Sequence, residues 1–272
     1  MEYKEVIFDI SPIEPWRDIL LAYLGELPYD SFVEEEKGLK AYILSKDFDK
    51  AVLEELCAGL DAQISFEVKA VQQQNWNAVW ESDFEPVRVG DACGIRADFH
   101  APLGVEHEII ITPKMSFGTG HHETTYMMIN MMFDIDLEGK SVLDIGTGTG
   151  VLAILASKLG ANRIVAIDTD QWAYENANEN SRLNLVSNID FIYGDYTLIK
   201  HSFFDVILVN INTNVILNDI EKYLNFMHKD SQIILTGFLC SDTDVILDKA
   251  VDIGLKLVSL KNKNKWQIIH LI

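Results

Sequence analysis

One stretch, residues 141–170, constrains the fold more than any other part of the chain. It begins with a short segment at 142–145, apolar except for Asp144, of the kind that forms a buried parallel strand. Alternating glycines follow, then apolar residues at helical spacing, then a second apolar segment at 163–167 that ends in an acid. Strand, turn, helix and strand in this order predict a βαβ unit and therefore a parallel sheet.

The glycines and the acid predict a nucleotide site. Gly146, Gly148 and Gly150 allow the backbone to turn tightly and to come close to a ligand. Asp168 follows Gly146 by 22 residues, near the ~20-residue spacing at which an acid binds a ribose. A dinucleotide fingerprint would need a glycine where Val151 stands, so the pattern favours S-adenosylmethionine, which has no pyrophosphate. A purely structural turn is the alternative.

The N-terminal part of the chain predicts a separate small domain. Its pattern predicts strand, helix, hairpin, helix and strand, the βαββαβ order of a ferredoxin-like α+β fold. Residues 1–70 include 16 acidic and 7 basic side chains without clustered chemistry, so we expect recognition of a partner, with a structural appendage as the alternative. We predict a ferredoxin-like domain at 1–71, a linker at 72–84, and an α/β, doubly wound, Rossmann-like domain at 85–272.

Charge and cysteine content limit the classes of partner and compartment. The formal net charge is −20, and such a surface repels phosphate backbones, which disfavours direct nucleic-acid binding. Cys57, Cys93 and Cys240 form neither a metal-binding spacing nor an even disulfide framework, as expected in a reducing cytosol. Without a signal-peptide pattern or an apolar run as long as a membrane span, we expect a cytoplasmic protein with no membrane partner.

A second informative stretch, residues 117–125, combines glycines with two histidines, an acid and two threonines. Thr125 lies at the start of the helix that follows. His121 or His122 is a candidate to take a proton from an ammonium substrate, since imidazole titrates near neutral pH. A metal site formed by these histidines and Glu123 is disfavoured, because adjacent histidines on a helix or strand point apart and the sequence holds no second ligand cluster. We expect no metal.

Two later strands also end in polar residues. Asp195 follows the strand at 189–193, where an acid can meet the adenine amine, although a plain turn explains it equally well. Asn210 follows the apolar strand at 203–209. Ligands bind doubly wound sheets at the carboxyl ends of the strands, so both should converge on the glycines. There the Asn210 amide can hold an amine in line with a sulfonium methyl, alignment supplying much of the rate; a simple turn residue is the alternative.

These features together resemble the ribosomal protein L11 methyltransferase family (PrmA). F-G-T-G-H-H-E-T-T at 117–125 resembles the family's most distinctive segment. N-W-N-A-V-W-E-S-D-F-E-P-V-R-V-G at 75–90 resembles its linker and the start of its catalytic domain. D-I-G-T-G-T-G at 144–150 takes the place of the usual D-x-G-C-G-S-G, and N-I-N-T-N at 210–214 that of N-I-L-A-x-P, which retains Asn210.

The resemblance implies a class I S-adenosylmethionine-dependent methyltransferase that releases S-adenosylhomocysteine. It implies cofactor contacts at Thr125, Gly146, Asp168 and Asn210, and a ferredoxin-like domain that recognises the substrate. It also implies trimethylation of the N-terminal amine and of lysine side chains on a large-subunit ribosomal protein, L11. The alternatives are a methyltransferase for another protein, a small molecule or RNA, a non-catalytic binding module, and a nicotinamide oxidoreductase.

Overall fold

A computed structural model describes residues 3–25, 27–71, 84–112, 114, 116–200 and 202–272. The chain divides into two compact units, with the division between Asp83 and Phe84. The linker predicted at 72–84 lies outside the described residues except for Phe84. None of the helices described in these ranges is both long and apolar enough to cross a bilayer.

The first unit is a four-stranded antiparallel sheet packed against two helices. Its elements are β1 Tyr3–Ser11, α1 Trp16–Gly25, β2 Tyr29–Glu35, β3 Gly38–Leu44, α2 Lys50–Ala58 and β4 Gln63–Val71. The strand order is β2-β3-β1-β4, and every pairing is antiparallel. Alternate residues of β1, among them Val6 and Phe8, are buried with Leu20 and Leu24 of α1. The predicted ferredoxin-like fold is thus confirmed.

The second unit contains the remaining strands and α-helices. They are β5 Val87–Val89, β6 Cys93–Ala97, β7 His107–Ile111, α3 Glu123–Phe133, β8 Ser141–Ile145, α4 Val151–Lys158, β9 Arg163–Asp168, α5 Gln171–Leu183, β10 Ile189–Tyr193, β11 Phe204–Asn210, α6 Thr213–Tyr223, β12 Met227–Leu239, α7 Thr243–Asp252, β13 Leu257–Lys263 and β14 Trp266–Leu271. Strand and helix alternate from α3 to β10 and from β11 to β13. The strands form two sheets, one of seven strands and one of three.

The seven-stranded sheet has the order β10-β9-β8-β11-β12-β14-β13. Strands β8 to β12 pair in parallel, and β13 and β14 form the closing antiparallel hairpin. Successive residues of β8 enter different cores, Val142 on one face and Leu143 on the other, which explains its nearly continuous apolar run. The strand order reverses between β8 and β11, and ligands bind such doubly wound sheets at that point. The predicted Rossmann-like class is confirmed.

Two predicted element boundaries differ from the structure. The sequence pattern predicts a helix at 215–227 and a strand at 232–236, whereas α6 ends at Tyr223 and β12 already begins at Met227. The strand is longer because β12 also pairs with β14 out to Leu239, beyond its parallel partner β11. The segment at 86–98 divides into β5 and β6, which pair antiparallel, while β6 pairs in parallel with β7. The sequence does not indicate this small sheet.

Candidate active site

A cavity of about 630 Å³ opens at the carboxyl ends of the parallel strands in the second unit. Its wall includes Ile145 at the end of β8, Asp168 at the end of β9, Gly194 just after β10 and Asn210 at the end of β11. The remaining wall comes from the chain before and at the start of α3, from α6 and from the β13–β14 hairpin. A volume of this size suits a nucleoside-sized ligand.

The residues at 146–150, here called the glycine turn, are folded back against β9. Gly146 and Gly148 have φ values of 73° and 56°, in the left-handed region that favours glycine. The backbone N–H groups of Gly146 and Thr147 both donate to the Ile167 carbonyl, over 2.9 and 3.0 Å. The Gly148 N–H donates to Asp168 Oδ2 over 2.9 Å. The turn and the acid that the sequence separates by 20 residues are therefore joined directly.

A second loop, residues 116–120 and here called the Phe117 loop, packs on the glycine turn. The Thr149 N–H donates to the Phe117 carbonyl over 2.9 Å, and the Thr149 hydroxyl donates to the Gly118 carbonyl over 2.6 Å. A Cβ atom on Gly148 would lie only 2.2 Å from the Phe117 carbonyl oxygen. Glycine is required at this position because backbone, not side chain, occupies the space.

Two carboxyl groups beside the glycine turn have different environments. Asp168 is half-buried in the cavity wall, and its oxygens accept from the N–H groups of Gly148 and Asp170. Each carboxylate oxygen can accept more than one bond, so capacity remains for a diol. Asp144 is fully buried and accepts from the Thr147 hydroxyl over 2.6 Å. Burial raises the pKa of Asp144 to about 7, the nearby Asp168 charge adds to the rise, and the Thr147 hydrogen bond opposes it.

A hydrogen bond joins Asn210, in the cavity wall, to Thr125. Asn210 is only 8% exposed and Thr125 is fully buried, although 85 residues separate them in the chain. Asn210 Nδ2 donates to Thr125 Oγ1 over 3.3 Å, whereas Asn210 Oδ1 is buried and finds no hydrogen-bond partner in the described part of the chain. A buried amide oxygen without a partner is costly. Since Asn210 lines the cavity, a ligand donor is the natural partner.

The two adjacent histidines have different positions. His122 lines the cavity, caps the N-terminus of α3, and lies edge-on to Trp266 with 4.5 Å between ring centroids. His121 is exposed and absent from the cavity wall, with its ring edge-on to Phe84 at 4.9 Å. Of the two candidate proton acceptors, the structure brings His122 into the cavity wall and leaves His121 outside it. The sequence pattern does not show which of the two histidines faces the cavity, because adjacent side chains point apart and the residue at which the helix begins decides the matter.

Asp195 lies in the cavity wall, as expected from its place after β10. Its Oδ1 accepts from the Thr197 N–H over 2.9 Å and from the Thr197 hydroxyl, and these bonds lower the pKa of Asp195. The carboxyl is therefore an acceptor for an amine.

Of the residues that the structure describes, no three His, Cys, Asp or Glu side chains are arranged to hold a metal ion.

Part of the cavity wall is aromatic, a feature not predicted from the sequence. Tyr196, Tyr223 and Trp266 all line the cavity. The Tyr196 hydroxyl donates to Asp219 Oδ1 over 3.1 Å, while the buried Tyr223 hydroxyl has no partner within the described ranges; burial raises the pKa of Tyr223 well above its usual value. The four-residue spacing of Asp219 and Tyr223 on α6 is a signal that points both to one helix face. No local sequence pattern indicates that Trp266 lies in the cavity wall.

Known proteins match this chain over its whole length. The family model described as "Ribosomal protein L11 methyltransferase (PrmA)" matches residues 21–271. The chain is 43% identical to a ribosomal protein L11 methyltransferase of Phocaeicola vulgatus, over 100% of this chain and 99% of that one. It is 40% identical to one of Bacteroides fragilis, over 100% of both. A crystal structure of ribosomal protein L11 methylase from Lactobacillus delbrueckii subsp. bulgaricus matches in fold, with TM-score 0.65, 23% identity, and coverage of 70% of this chain and 98% of that chain.

Proposed function

The chain belongs to the ribosomal protein L11 methyltransferase family, and from this premise we propose its substrate groups, site residues and partner. It is an S-adenosylmethionine-dependent protein methyltransferase. We propose that it methylates the N-terminal amine and lysine side chains of ribosomal protein L11. The buried, unpartnered Asn210 Oδ1 in the cavity wall carries this proposal, because it is an acceptor placed where an amine substrate needs one.

The cavity residues fit S-adenosylmethionine. The glycine turn exposes backbone in the wall through Gly146 and Gly148, and no side chain there blocks a ligand. Asp168 retains acceptor capacity for the two ribose hydroxyls, and Asp195 has it for the adenine amine. Thr125 supports the cofactor site through Asn210 rather than from the wall, since it is fully buried.

The bound cofactor supplies a methyl group on a sulfonium, which is already activated for displacement. What the protein must add is alignment of a neutral amine. Asn210 Oδ1 accepts an N–H from the incoming amine, and the Thr125 hydroxyl fixes the orientation of that amide by accepting from Nδ2. His122 lies in the same wall and takes the proton that an ammonium substrate must lose.

The ferredoxin-like unit is proposed to recognise the substrate. Residues 1–70 contain 16 acidic and 7 basic residues, a balance that attracts basic ribosomal proteins and repels bare RNA. The free thiols of Cys57, Cys93 and Cys240 agree with action in the reducing cytoplasm, where ribosomes are assembled.

Methyl transfer from labelled S-adenosylmethionine tests the proposed function. Purified enzyme is incubated separately with ribosomal protein L11, with another small basic ribosomal protein, and with ribosomal RNA, with Asn210→Ala as the control of strongly reduced activity. We expect label in L11 that depends on Asn210. Label in RNA or equally in both proteins would overturn the proposed substrate, and calorimetry that detects NAD but not S-adenosylhomocysteine would overturn the cofactor.

A further inference from the structure

We propose that Asn180 is a positioning residue for the cofactor site, although it lies outside the cavity wall. Its side-chain amide joins the root of the Phe117 loop to the glycine turn. This inference rests on the proposed function only in naming S-adenosylhomocysteine as the probe. The connection itself is a property of the protein without ligand.

Three asparagines spaced four apart lie on the buried face of α5 and at its C-terminal end. Asn176, Asn180 and Asn184 are all at least nine-tenths buried. Burial of an amide is costly unless its hydrogen bonds are made. Three buried amides in a row therefore need a row of hydrogen-bond partners, and the backbone groups along the edge of a strand provide one.

The partners lie along one edge of β7 and just beyond it; among the described strands, β7 pairs with β6 alone. Asn184 binds both backbone groups of Ile110: Oδ1 accepts from its N–H over 2.9 Å, and Nδ2 donates to its carbonyl over 2.6 Å. Asn176 Nδ2 donates to the Thr112 carbonyl over 3.2 Å. The amides thus act in place of a neighbouring strand.

Asn180 differs from the other two because its amide bonds two separate segments. Asn180 Oδ1 accepts from the Thr112 N–H over 2.8 Å, just beyond β7 and before the Phe117 loop. Asn180 Nδ2 donates to the Thr149 carbonyl over 2.8 Å. Thr149 in turn holds the Phe117 carbonyl through its own N–H over 2.9 Å. Hydrogen bonds through Asn180 and Thr149 thereby connect Thr112 to Phe117.

The hydrogen bonds of Asn180 and Thr149 fix the spacing of two parts of the cavity wall. Phe117 and Gly148 both line the cavity, and the space between them is so small that a Cβ atom on Gly148 would lie 2.2 Å from the Phe117 carbonyl oxygen. Loss of the Asn180 amide removes one hydrogen bond from the Thr149 carbonyl and one from the Thr112 N–H. A shift of a few tenths of an ångström in either would change the shape that the cofactor meets.

Asn184→Ala is the matched control for Asn180→Ala. Both changes remove a buried amide from the same row of asparagines and break bonds to the backbone of Ile110 or to the Thr112 N–H, but Asn184 does not bond the glycine turn. Both variants should lose similar free energy of unfolding in urea. By calorimetry we expect Asn180→Ala to raise the Kd for S-adenosylhomocysteine about tenfold and Asn184→Ala to change it less than about twofold. Equal changes in Kd, or none for Asn180→Ala, would overturn the proposal.

Hydrogen exchange without ligand gives a second readout that does not depend on the cofactor. We expect Asn180→Ala to accelerate exchange of the Thr149 amide, whereas Asn184→Ala accelerates exchange only around Ile110. Asn180→Asp keeps the oxygen that accepts from Thr112 and removes the donor to Thr149, so it tests the connection if the alanine variant does not fold. Unchanged Thr149 exchange in both Asn180 variants would show that the amide does not hold the turn. A wild-type protein that fails to bind S-adenosylhomocysteine would instead count against the proposed function.

Discussion

Asn210 Nδ2 donates to Thr125 Oγ1 over 3.3 Å, and this single contact determines which end of the Asn210 amide is left for a ligand. The amide oxygen remains buried in the cavity wall with no protein partner among the residues described. An oxygen held in this way can accept from an amine but cannot donate to one. The contact therefore leaves an acceptor, and not a donor, in the cavity wall.

Removal of the Asn210 amide should impair turnover more than cofactor binding. We expect Asn210→Ala to lower kcat about 100-fold, because the amine loses its acceptor and its alignment. Thr125→Val should lower kcat less, and Thr125→Ser, which keeps the hydroxyl, should restore it. Steady-state kinetics with L11 as substrate measure these effects. Equal kcat for Thr125→Val and Thr125→Ser would show that the hydroxyl does not orient the amide.

Loss of the Asp168 carboxylate should weaken cofactor binding. Charge-assisted hydrogen bonds contribute ~1.5–3 kcal/mol each, so we expect Asp168→Ala to raise the Kd for S-adenosylhomocysteine between about 10-fold and 100-fold. Asp190→Asn, an exposed change on the neighbouring strand β10, controls for the loss of one negative charge. Calorimetry on both variants is the measurement, and unchanged affinity in Asp168→Ala would mean that Asp168 does not bind the ribose.

A methyl group on Gly148 should displace the Phe117 loop. Gly148→Ala places Cβ 2.2 Å from the Phe117 carbonyl oxygen, whereas a Cβ on Gly139 has no heavy atom within 4 Å. Both glycines have positive φ, 56° and 69°, so each alanine carries the same backbone strain of about 1–2 kcal/mol. Urea denaturation and calorimetry should show a further loss of stability and of cofactor affinity in Gly148→Ala alone. Equal behaviour of the two variants would contradict the packing of the loop on the turn.

Asp144 should make stability depend on pH. Its pKa is raised from 3.8 to about 7 by burial, so the folded state holds a proton that the unfolded state has lost. The free energy of unfolding should therefore fall by about 1.4 kcal/mol per pH unit between about pH 4 and pH 7 and level off above. Asp144→Asn lacks this contribution and is the control. Urea denaturation across that range should give curves that diverge as pH rises, with the wild type losing stability relative to Asp144→Asn; parallel curves would contradict the raised pKa.

The sequence predicted those parts of the fold and site that depend on local spacing. The βαβ unit at 141–170 is visible because the alternating glycines, the helix and Asp168 lie in one continuous segment. Asn210 could be predicted because the carboxyl ends of parallel strands meet at one edge. Which of His121 and His122 lies in the cavity wall could not be predicted, since this depends on a one-residue difference at the start of α3.

The remaining features depend on contacts between distant segments. Trp266 reaches His122 only because the β13–β14 hairpin packs beside α3, as the bond from Asn264 Nδ2 to Glu123 Oε1 also shows. The row of asparagines on α5 is visible in the sequence, but its partners are backbone groups of β7, which no side-chain pattern identifies. Periodicity identifies a buried face and not what covers it.

Mass spectrometry of ribosomal protein L11, from cells with and without this gene, tests the proposed function most directly. We expect methyl groups on the N-terminal amine and on lysine side chains of L11 only where the gene is present. Replacement by a gene encoding Asn210→Ala should leave L11 unmethylated. Identical L11 masses in cells with and without the gene would contradict the proposed function.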